Sequence, residues 1–207
     1  MSAQEQQTAL PEETEERKDR LDPATRARRE AALRHVRKYG DPSLRSRARP
    51  VEVFDAALAD EVKRMGALMD DALGIGLAAT QLGVMHRLLV YRVDQDAPLG
   101  VLVNPEIEWR GEEVETMEEG CLSLPGVGVD VERTIHVRVT AQDETGARLV
   151  VEASGLEARV IQHELDHLDG VLILDRTSRD QRKQAMRAMR EAMAGGGDGG
   201  ASPAVSA

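Results

Sequence analysis

Residues 162–167 read Gln-His-Glu-Leu-Asp-His, with Leu-Asp-Gly behind them at 168–170. On an α-helix, residues four apart project from one face, so His163 and His167 would present two imidazoles as a pair of metal ligands. Glu164 lies beside that face, where a carboxylate can accept a proton from water without being a ligand itself. This H-E-x-x-H spacing predicts a helix with two ligands and a general base. An ordinary amphipathic helix with two histidines is the alternative.

A catalytic centre of this kind usually has three protein ligands and one position for water. No histidine follows His167, and the acidic residues after it form no recognisable third-ligand pattern. The chain has one cysteine, Cys121, in a stretch bounded by Gly and Pro, residues 118–126, which read EEGCLSLPG. A lone cysteine is often an inert buried residue, but the preceding glycine and the acids around it favour a specialised loop. Cys121 is therefore the candidate third ligand.

A third stretch, residues 74–81, reads GIGLAATQ. Its glycines and alanines leave the backbone open to close approach by a substrate, and Gln81 offers an amide donor. Alone, such a stretch is commonly the end of a helix followed by a tight packing turn. Its value lies in its combination with the other two stretches.

Together, and in this order, the three stretches resemble the peptide deformylase family. The signatures of that family, G-φ-G-φ-A-A-x-Q, E-G-C-φ-S and H-E-x-D-H (φ apolar), occur here without substitution, and the resemblance spans about residues 36–176. It implies hydrolysis of the N-formyl group from the initiator formyl-methionine of nascent bacterial polypeptides, with release of formate. It also implies that Cys121, His163 and His167 hold one divalent metal ion, commonly Fe²⁺ in the family, with Zn²⁺, Ni²⁺ or Co²⁺ as substitutes.

The resemblance implies catalytic roles for three further residues. Glu164 would act as general base, while the side-chain amide of Gln81 and the backbone N–H of Leu122 would stabilise the developing oxyanion. The substrate would be bound by Ile75, lining the methionine pocket, and by Gly76, whose carbonyl would pair with the substrate backbone.

Supporting residues are expected around the ligands. The resemblance implies a salt bridge between Glu119 and Arg133 that holds the Cys121 loop in place, because a lone buried carboxylate would be costly. Asp166 is a surface acid, a partner within its own helix turn or a further support for the site, and Gly170 is expected to cap the metal helix.

Two other functional classes share part of this pattern. A zinc peptidase would use His163, Glu164 and His167, but it would need a wide cleft and a different third ligand. A non-enzymatic module stabilised by metal would usually show four protein ligands, whereas only three are evident.

The composition indicates one domain with tails, since the chain has 207 residues, 41% of them hydrophobic and only 2% aromatic. A single cysteine excludes an internal disulfide framework and suits a reducing cytoplasm. No apolar run approaches the ~18 residues of a membrane span, and the N-terminus lacks the apolar segment of a signal peptide. We expect a cytoplasmic protein with neither DNA nor a membrane as partner.

The predicted fold is α+β, with short antiparallel strands around a central metal-binding helix and a C-terminal helix. Periodicity predicts helices over residues 23–38, 55–73, 155–167 and 178–193. Strands are predicted over residues 87–93, 100–104 with a stop at Pro105, 106–116, 128–142 and 148–152. The predicted division is an N-terminal extension, disordered or partly helical (1–32), a catalytic domain (33–177), a basic helix (178–194) and a flexible tail (195–207).

Charge is distributed unevenly around a formal total of −10. Residues 17–49 contain 12 basic and four acidic side chains, and residues 176–190 contain six basic and one acidic. These basic segments are either solvated helix faces or contacts with a polyanion. For the C-terminal helix, family resemblance favours docking on the ribosome, although a helix that merely packs on the domain is the competing interpretation.

Overall fold

The computed structural model describes residues 21–194, with the side chains of residues 192–194 left out. The predictions of disorder before residue 21 and of a flexible tail at 195–207 lie outside these residues. The fold is α+β, as predicted. Its helices are α1 (Pro23–Leu33), α2 (Ala56–Asp71), α3 (Gly155–Leu168), α4 (Ile173–Arg176) and α5 (Arg179–Ala194). Among the described residues, none of these helices has the length and apolarity needed to cross a membrane.

The strands form two antiparallel sheets on either side of α3. The five-stranded sheet has the order β1 (Gly76–Ala78), β2 (Leu88–Tyr91), β3 (Gly100–Arg110), β6 (His136–Gln142) and β7 (Arg148–Ser154). The second sheet is the hairpin of β4 (Val114–Cys121) and β5 (Leu124–Thr134). Helix α3 contacts strands of both sheets, so it lies at the centre of the domain.

Two predicted strand boundaries were wrong. Strand β3 continues past Pro105. Proline has no backbone N–H to donate to the neighbouring strand, and a register shift between Val103 and Glu106 accommodates it within the sheet. Asn104 adopts a positive φ of 52° there. Its side-chain oxygen accepts a hydrogen bond from the backbone N–H of Val51, and its side-chain nitrogen donates one to the Val51 carbonyl. The predicted strand 106–116 is correspondingly divided between β3 and β4.

The alternating run at 128–142 is also not one strand. It breaks at Ile135, where the chain leaves the hairpin and enters the five-stranded sheet. The backbone N–H of Ile135 donates to the carbonyl of Glu113, and its own carbonyl accepts from Gly155 at the start of α3. Because alternation is uninterrupted across the break, hydrophobicity could not reveal it.

Helix α3 is buried on every side from Ala158 to Leu168. Every polar residue on it therefore needs a partner inside the protein. Its C-terminal end is capped as predicted, since Gly170 has a φ of 74°. A Cβ at Gly170 would lie 2.8 Å from the carbonyl carbon of Arg45, so the turn also requires the small residue.

Candidate metal centre and active site

Three possible metal ligands meet at the centre of the domain. Cys121 is the last residue of β4, and His163 and His167 lie one turn apart on α3. Their ligand atoms all lie within 4.8 Å of one another, and Cys121 Sγ is 3.1 Å from His167 Nε2. The two imidazole rings meet edge to face with centroids 4.9 Å apart. The structure thus brings the three residues predicted as ligands into one buried cluster.

The cluster has the properties of a site for a divalent metal. His163 Nδ1 lies 2.9 Å from Glu119 Oε2 and donates to it in the neutral ring, which leaves the Nε2 lone pair free. That Nε2 atom is buried and has no hydrogen-bond partner in the part of the chain that is described. Burial is the main cause that holds the pKa of His167 well below its usual value, and the neighbouring His163 lowers it further. The low pKa favours the neutral form of His167, which is the form that binds metal.

Cys121 fits the same site. Burial raises the pKa of its thiol to about 12, so the thiol stays protonated unless a cation is beside it. A thiol that coordinates a metal is deprotonated outright. One thiolate with two imidazoles is a donor set suited to Zn²⁺, Fe²⁺, Co²⁺ or Ni²⁺.

Glu119 connects the ligands to the surrounding structure. It is fully buried and accepts from Arg133 Nε at 2.6 Å and from Arg133 Nη2 at 2.9 Å, so the predicted ion pair is present. Burial alone would raise its pKa, but hydrogen bonds from His163 and Arg133 hold the pKa of Glu119 well below its usual range. An ionised Glu119 orients the His163 ring.

Glu164 lies on α3 between the two histidines and faces β1. Its Oε2 atom is buried without a partner among the described residues. Burial raises the pKa of this carboxyl well above its usual value, against the attraction of Arg133. A Cβ at Gly76 would meet Glu164 Oε1 and would lie 2.9 Å from Val160 Cγ1, so the absence of a side chain there makes room for the carboxyl.

The remaining predicted residues surround the cluster. Gln81 Nε2 lies 3.7 Å from Cys121 Sγ and 3.3 Å from Ser123 Oγ, while its Oε1 accepts from the backbone N–H of Ala78 at 2.9 Å. Leu122 follows the cysteine and is buried, and its carbonyl accepts from Lys38 Nζ. Gln81 is therefore held with its amide directed at the thiol.

The predicted substrate-binding residues lie at an open sheet edge. Gly76 begins β1, and the half-buried Ile75 precedes it. In the described chain β1 pairs with β2 only, so its other edge is free.

Comparison with known proteins agrees with this geometry. The family model described as polypeptide deformylase matches residues 33–183. The chain belongs to the peptide deformylase family. It is 47% identical to the peptide deformylase of Acidothermus cellulolyticus over 161 residues, which cover 78% of this chain and 88% of that one. Its activity is metal-dependent hydrolysis of the N-formyl group from the initiator formyl-methionine of nascent polypeptides. The peptidase and non-enzymatic alternatives are thereby excluded.

Solved structures of deformylases share the fold. A peptide deformylase from Synechococcus elongatus, in complex with actinonin, is 43% identical with a TM-score of 0.71, covering 74% of this chain and 85% of that one. The enzyme from Thermotoga maritima is 44% identical with a TM-score of 0.67, covering 69% and 96% of the two chains.

One buried residue of the deformylase site was missed from the sequence. Arg159 lies on α3, one turn before His163, and its Nη1 donates to Glu119 Oε1 at 2.8 Å and to the Val131 carbonyl at 3.0 Å. Its Nη2 donates to the Glu115 carbonyl at 2.8 Å. Arg159 thus joins the helix that carries the histidines to the hairpin that carries the cysteine. The available signal was its position four residues before His163, which places both side chains on one face of the helix.

Asp166 supports the same network from the same face of α3, nearer its C-terminal end. It is buried, and it accepts from Arg133 Nη1 at 3.0 Å and from Arg176 Nε at 3.0 Å. Of the three alternatives for this residue, a surface acid is therefore wrong. Arg133 lies between Asp166 and Glu119 and pairs with both, while Arg176 and Arg159 supply further counter-charge.

Proposed function

We propose that Cys121, His163 and His167 hold one Fe²⁺ ion in this deformylase, and that Zn²⁺, Ni²⁺ or Co²⁺ can replace it. The observation that carries the proposal is the buried, unpartnered Nε2 of His163 beside the thiol and second imidazole. When bound, the ion supplies Lewis-acid chemistry, which polarises a carbonyl and lowers the pKa of water.

Glu164 is the proton-transferring residue in this proposal. Its carboxylate takes a proton from the attacking water and delivers it to the amine nitrogen as the C–N bond of the formamide breaks. The products are formate and a free α-amino group, and Glu164 returns to its starting state. Burial raises the pKa of Glu164 above that of an ordinary carboxyl, which favours this role because the protonated form must later deliver the proton.

Gln81 and Leu122 stabilise the negative charge that develops on the formyl oxygen. The Gln81 amide is held within 3.7 Å of the thiol sulfur, and the backbone N–H of Leu122 follows the cysteine directly. Preorganised donors of this kind stabilise an oxyanion without reorganisation during the reaction. Both residues are buried.

The substrate backbone binds along the free edge of β1 as an added strand. Ile75 and the carbonyl of Gly76 provide this edge, and Ile75 lines the pocket for the methionine side chain. Pairing along a free edge uses main-chain hydrogen bonds, which suits an enzyme that acts on many different nascent chains.

Glu164→Gln separates the proposed base from the proposed ligands. We expect this variant to retain metal, since it loses only a proton acceptor, and to release formate from a formyl-Met peptide at least ~10²-fold more slowly. His163→Ala is the matched comparison and should lose both metal and activity. Metal content by mass spectrometry decides between the roles, and a metal-free Glu164→Gln protein would contradict the assignment.

A second proposal concerns the partner of α5 and the compartment. We propose that the exposed basic face of α5 docks on the ribosome in the cytoplasm, where nascent substrates are produced. This face consists of Arg179, Arg182, Lys183, Arg187 and Arg190. The opposite face packs on the domain through the buried Ala185 and Met189, and the Gln181 side chain bonds Asp130 on β5. The apolar face is thus occupied within the chain, and only the basic face remains for a partner.

Charge reversal tests the docking without removing the helix. Lys183→Glu combined with Arg190→Glu should weaken ribosome co-sedimentation in a salt-dependent way, because phosphate contacts release counterions. Hydrolysis of a short formyl-Met peptide should stay within about twofold of the parent rate, since neither side chain is near the site. Arg138→Glu, on β6, is the control for a charge change elsewhere. Equal co-sedimentation of all these proteins would contradict the proposal.

A further inference from the structure

We propose that a cationic recess lined in part by Leu82, the residue after Gln81, binds a phosphate group. The recess has a volume of about 300 Å³. It lies between the segment after α1 and the exposed side of α2. The lining residues are Arg34, His35, Arg37, Arg64, Leu68 and Leu82.

The charge of this recess is unbalanced. Three guanidinium groups and one imidazole line it, and no acidic side chain is among the lining residues in the described chain. Neither Arg34 nor Arg64 has a side-chain partner among the described residues. Arg37 has one weak ion pair, with Asp41 at 3.7 Å. Like charges brought together without counter-charge attract an anion, and the overall charge of −10 makes this basic cluster a local exception.

The acidic residues nearest the recess form no ion pair with its arginines. On α2, Asp60 pairs with Lys63 at 3.5 Å and Glu61 with His86 at 2.8 Å. Glu30 lies four residues before Arg34 but forms no ion pair with it among the described residues. Arg34 and Arg64 therefore lack the ion pairs that acids at helical spacing often provide.

The chemistry favours phosphate as the ligand. Guanidinium groups bind phosphate oxygens through paired N–H donors, and several arginines around one anion give geometric selectivity over chloride. The volume exceeds that of a bare phosphate, and Leu68 and Leu82 form an apolar wall suited to the sugar of a phosphorylated compound. A free phosphorylated molecule and the backbone of RNA share this chemistry.

The recess is joined to the active site through the backbone. The N–H of Arg37 donates to the carbonyl of Gln81 at 2.7 Å, and Leu82 is the next residue. A ligand held by Arg37 would thus be bound by a residue whose backbone contacts the segment that directs the Gln81 amide at Cys121.

Titration of the metal-loaded, full-length protein with inorganic phosphate tests the site, at constant ionic strength maintained with chloride. We expect Arg34→Gln and Arg64→Gln each to weaken phosphate binding about tenfold, as expected for the loss of one charge-assisted hydrogen bond. Arg148→Gln is the matched control, since it removes the same charge from an exposed position on β7. Absence of phosphate binding to the parent, or equal weakening by Arg148→Gln, would overturn the proposal.

A second titration with a short single-stranded RNA identifies the source of the phosphate. If RNA binding is also weakened by Arg34→Gln and Arg64→Gln but not by Arg148→Gln, the recess takes the RNA backbone. If RNA binding is absent or the same in all variants while phosphate binding depends on the recess, the ligand is a small phosphorylated molecule. Both results support a phosphate site. Unchanged circular dichroism and deformylase activity show that the variants are folded.

Discussion

Arg159→Met provides the sharpest test of the network that holds the metal ligands. The Arg159 side chain is only 4% exposed and makes three hydrogen bonds that link α3 to the β4–β5 hairpin. Methionine matches the aliphatic part of arginine but supplies no donor. The variant would leave Glu119 Oε1 with Arg133 as its remaining arginine, and it would leave the carbonyls of Val131 and Glu115 without this donor.

The structure allows the size of the effect to be estimated. Removal of one partner from a buried ion pair costs about 3–5 kcal/mol. For a protein of this size, each kcal/mol lowers Tm by roughly 2–4 °C, so we expect Tm to fall by roughly 6–20 °C. Metal affinity should fall by roughly 10–100-fold, because a residue that orients ligands is lost.

Arg138→Met is the matched control. Arg138 pairs with Glu152 on the sheet surface, where the two side chains are 46% and 71% exposed. An exposed pair contributes about 0.2–1 kcal/mol, so this variant should lose at most about 4 °C. Calorimetry on chelator-treated protein measures stability, and competition with a metal-binding dye measures affinity. If Arg159→Met lowers Tm no more than Arg138→Met does, and binds metal like the parent, the network has been assigned the wrong role.

Two further outcomes depend on the site. Gly76→Ala should reduce formate release by at least about tenfold while metal remains bound, because the new Cβ would displace the Glu164 carboxyl from its position against β1; unchanged activity would show that the carboxyl has room. The iron-loaded enzyme should lose activity in air faster than the zinc-loaded enzyme, because zinc has no redox chemistry. Intact-mass measurement should then show oxygen added at Cys121, and equal loss in both forms would refute this explanation.

The local features of the site could be predicted from the sequence. Helix α3 was predicted at 155–167 and spans Gly155–Leu168, because the two histidines and the apolar residues share one short-range periodicity. The Gly170 cap could be predicted in the same way, because a glycine directly after the last turn of a helix is a local signal for its end. Cys121 required more than periodicity, since nothing near it in sequence identifies the two histidines as its partners. Only the combination of the three stretches, in a pattern that resembles a known family, brought these residues together before the structure did.

Long-range features could not be predicted in this way. The alternation of residues 128–142 is the same on both sides of Ile135, yet the two halves pair with different strands. Arg159 could equally have been a solvated residue on a helix, because its partners, the Glu119 carboxylate and two backbone carbonyls, lie on a hairpin distant in sequence. In both cases the deciding contact is made by a segment whose position the local sequence does not determine.

The buried acids around α3 separate stability from catalysis. Glu119 and Asp166 are buried acids with arginine partners, and removal of such a partner leaves an uncompensated charge. Glu164 is different, because its Oε2 has no partner in the described chain and burial opposes its charged form. Glu164→Gln replaces this group with a neutral one of nearly the same shape. We therefore expect its Tm to equal or exceed that of the parent in calorimetry, even though formate release is nearly abolished. A fall in Tm comparable to that of Arg159→Met would place Glu164 in the structural network instead.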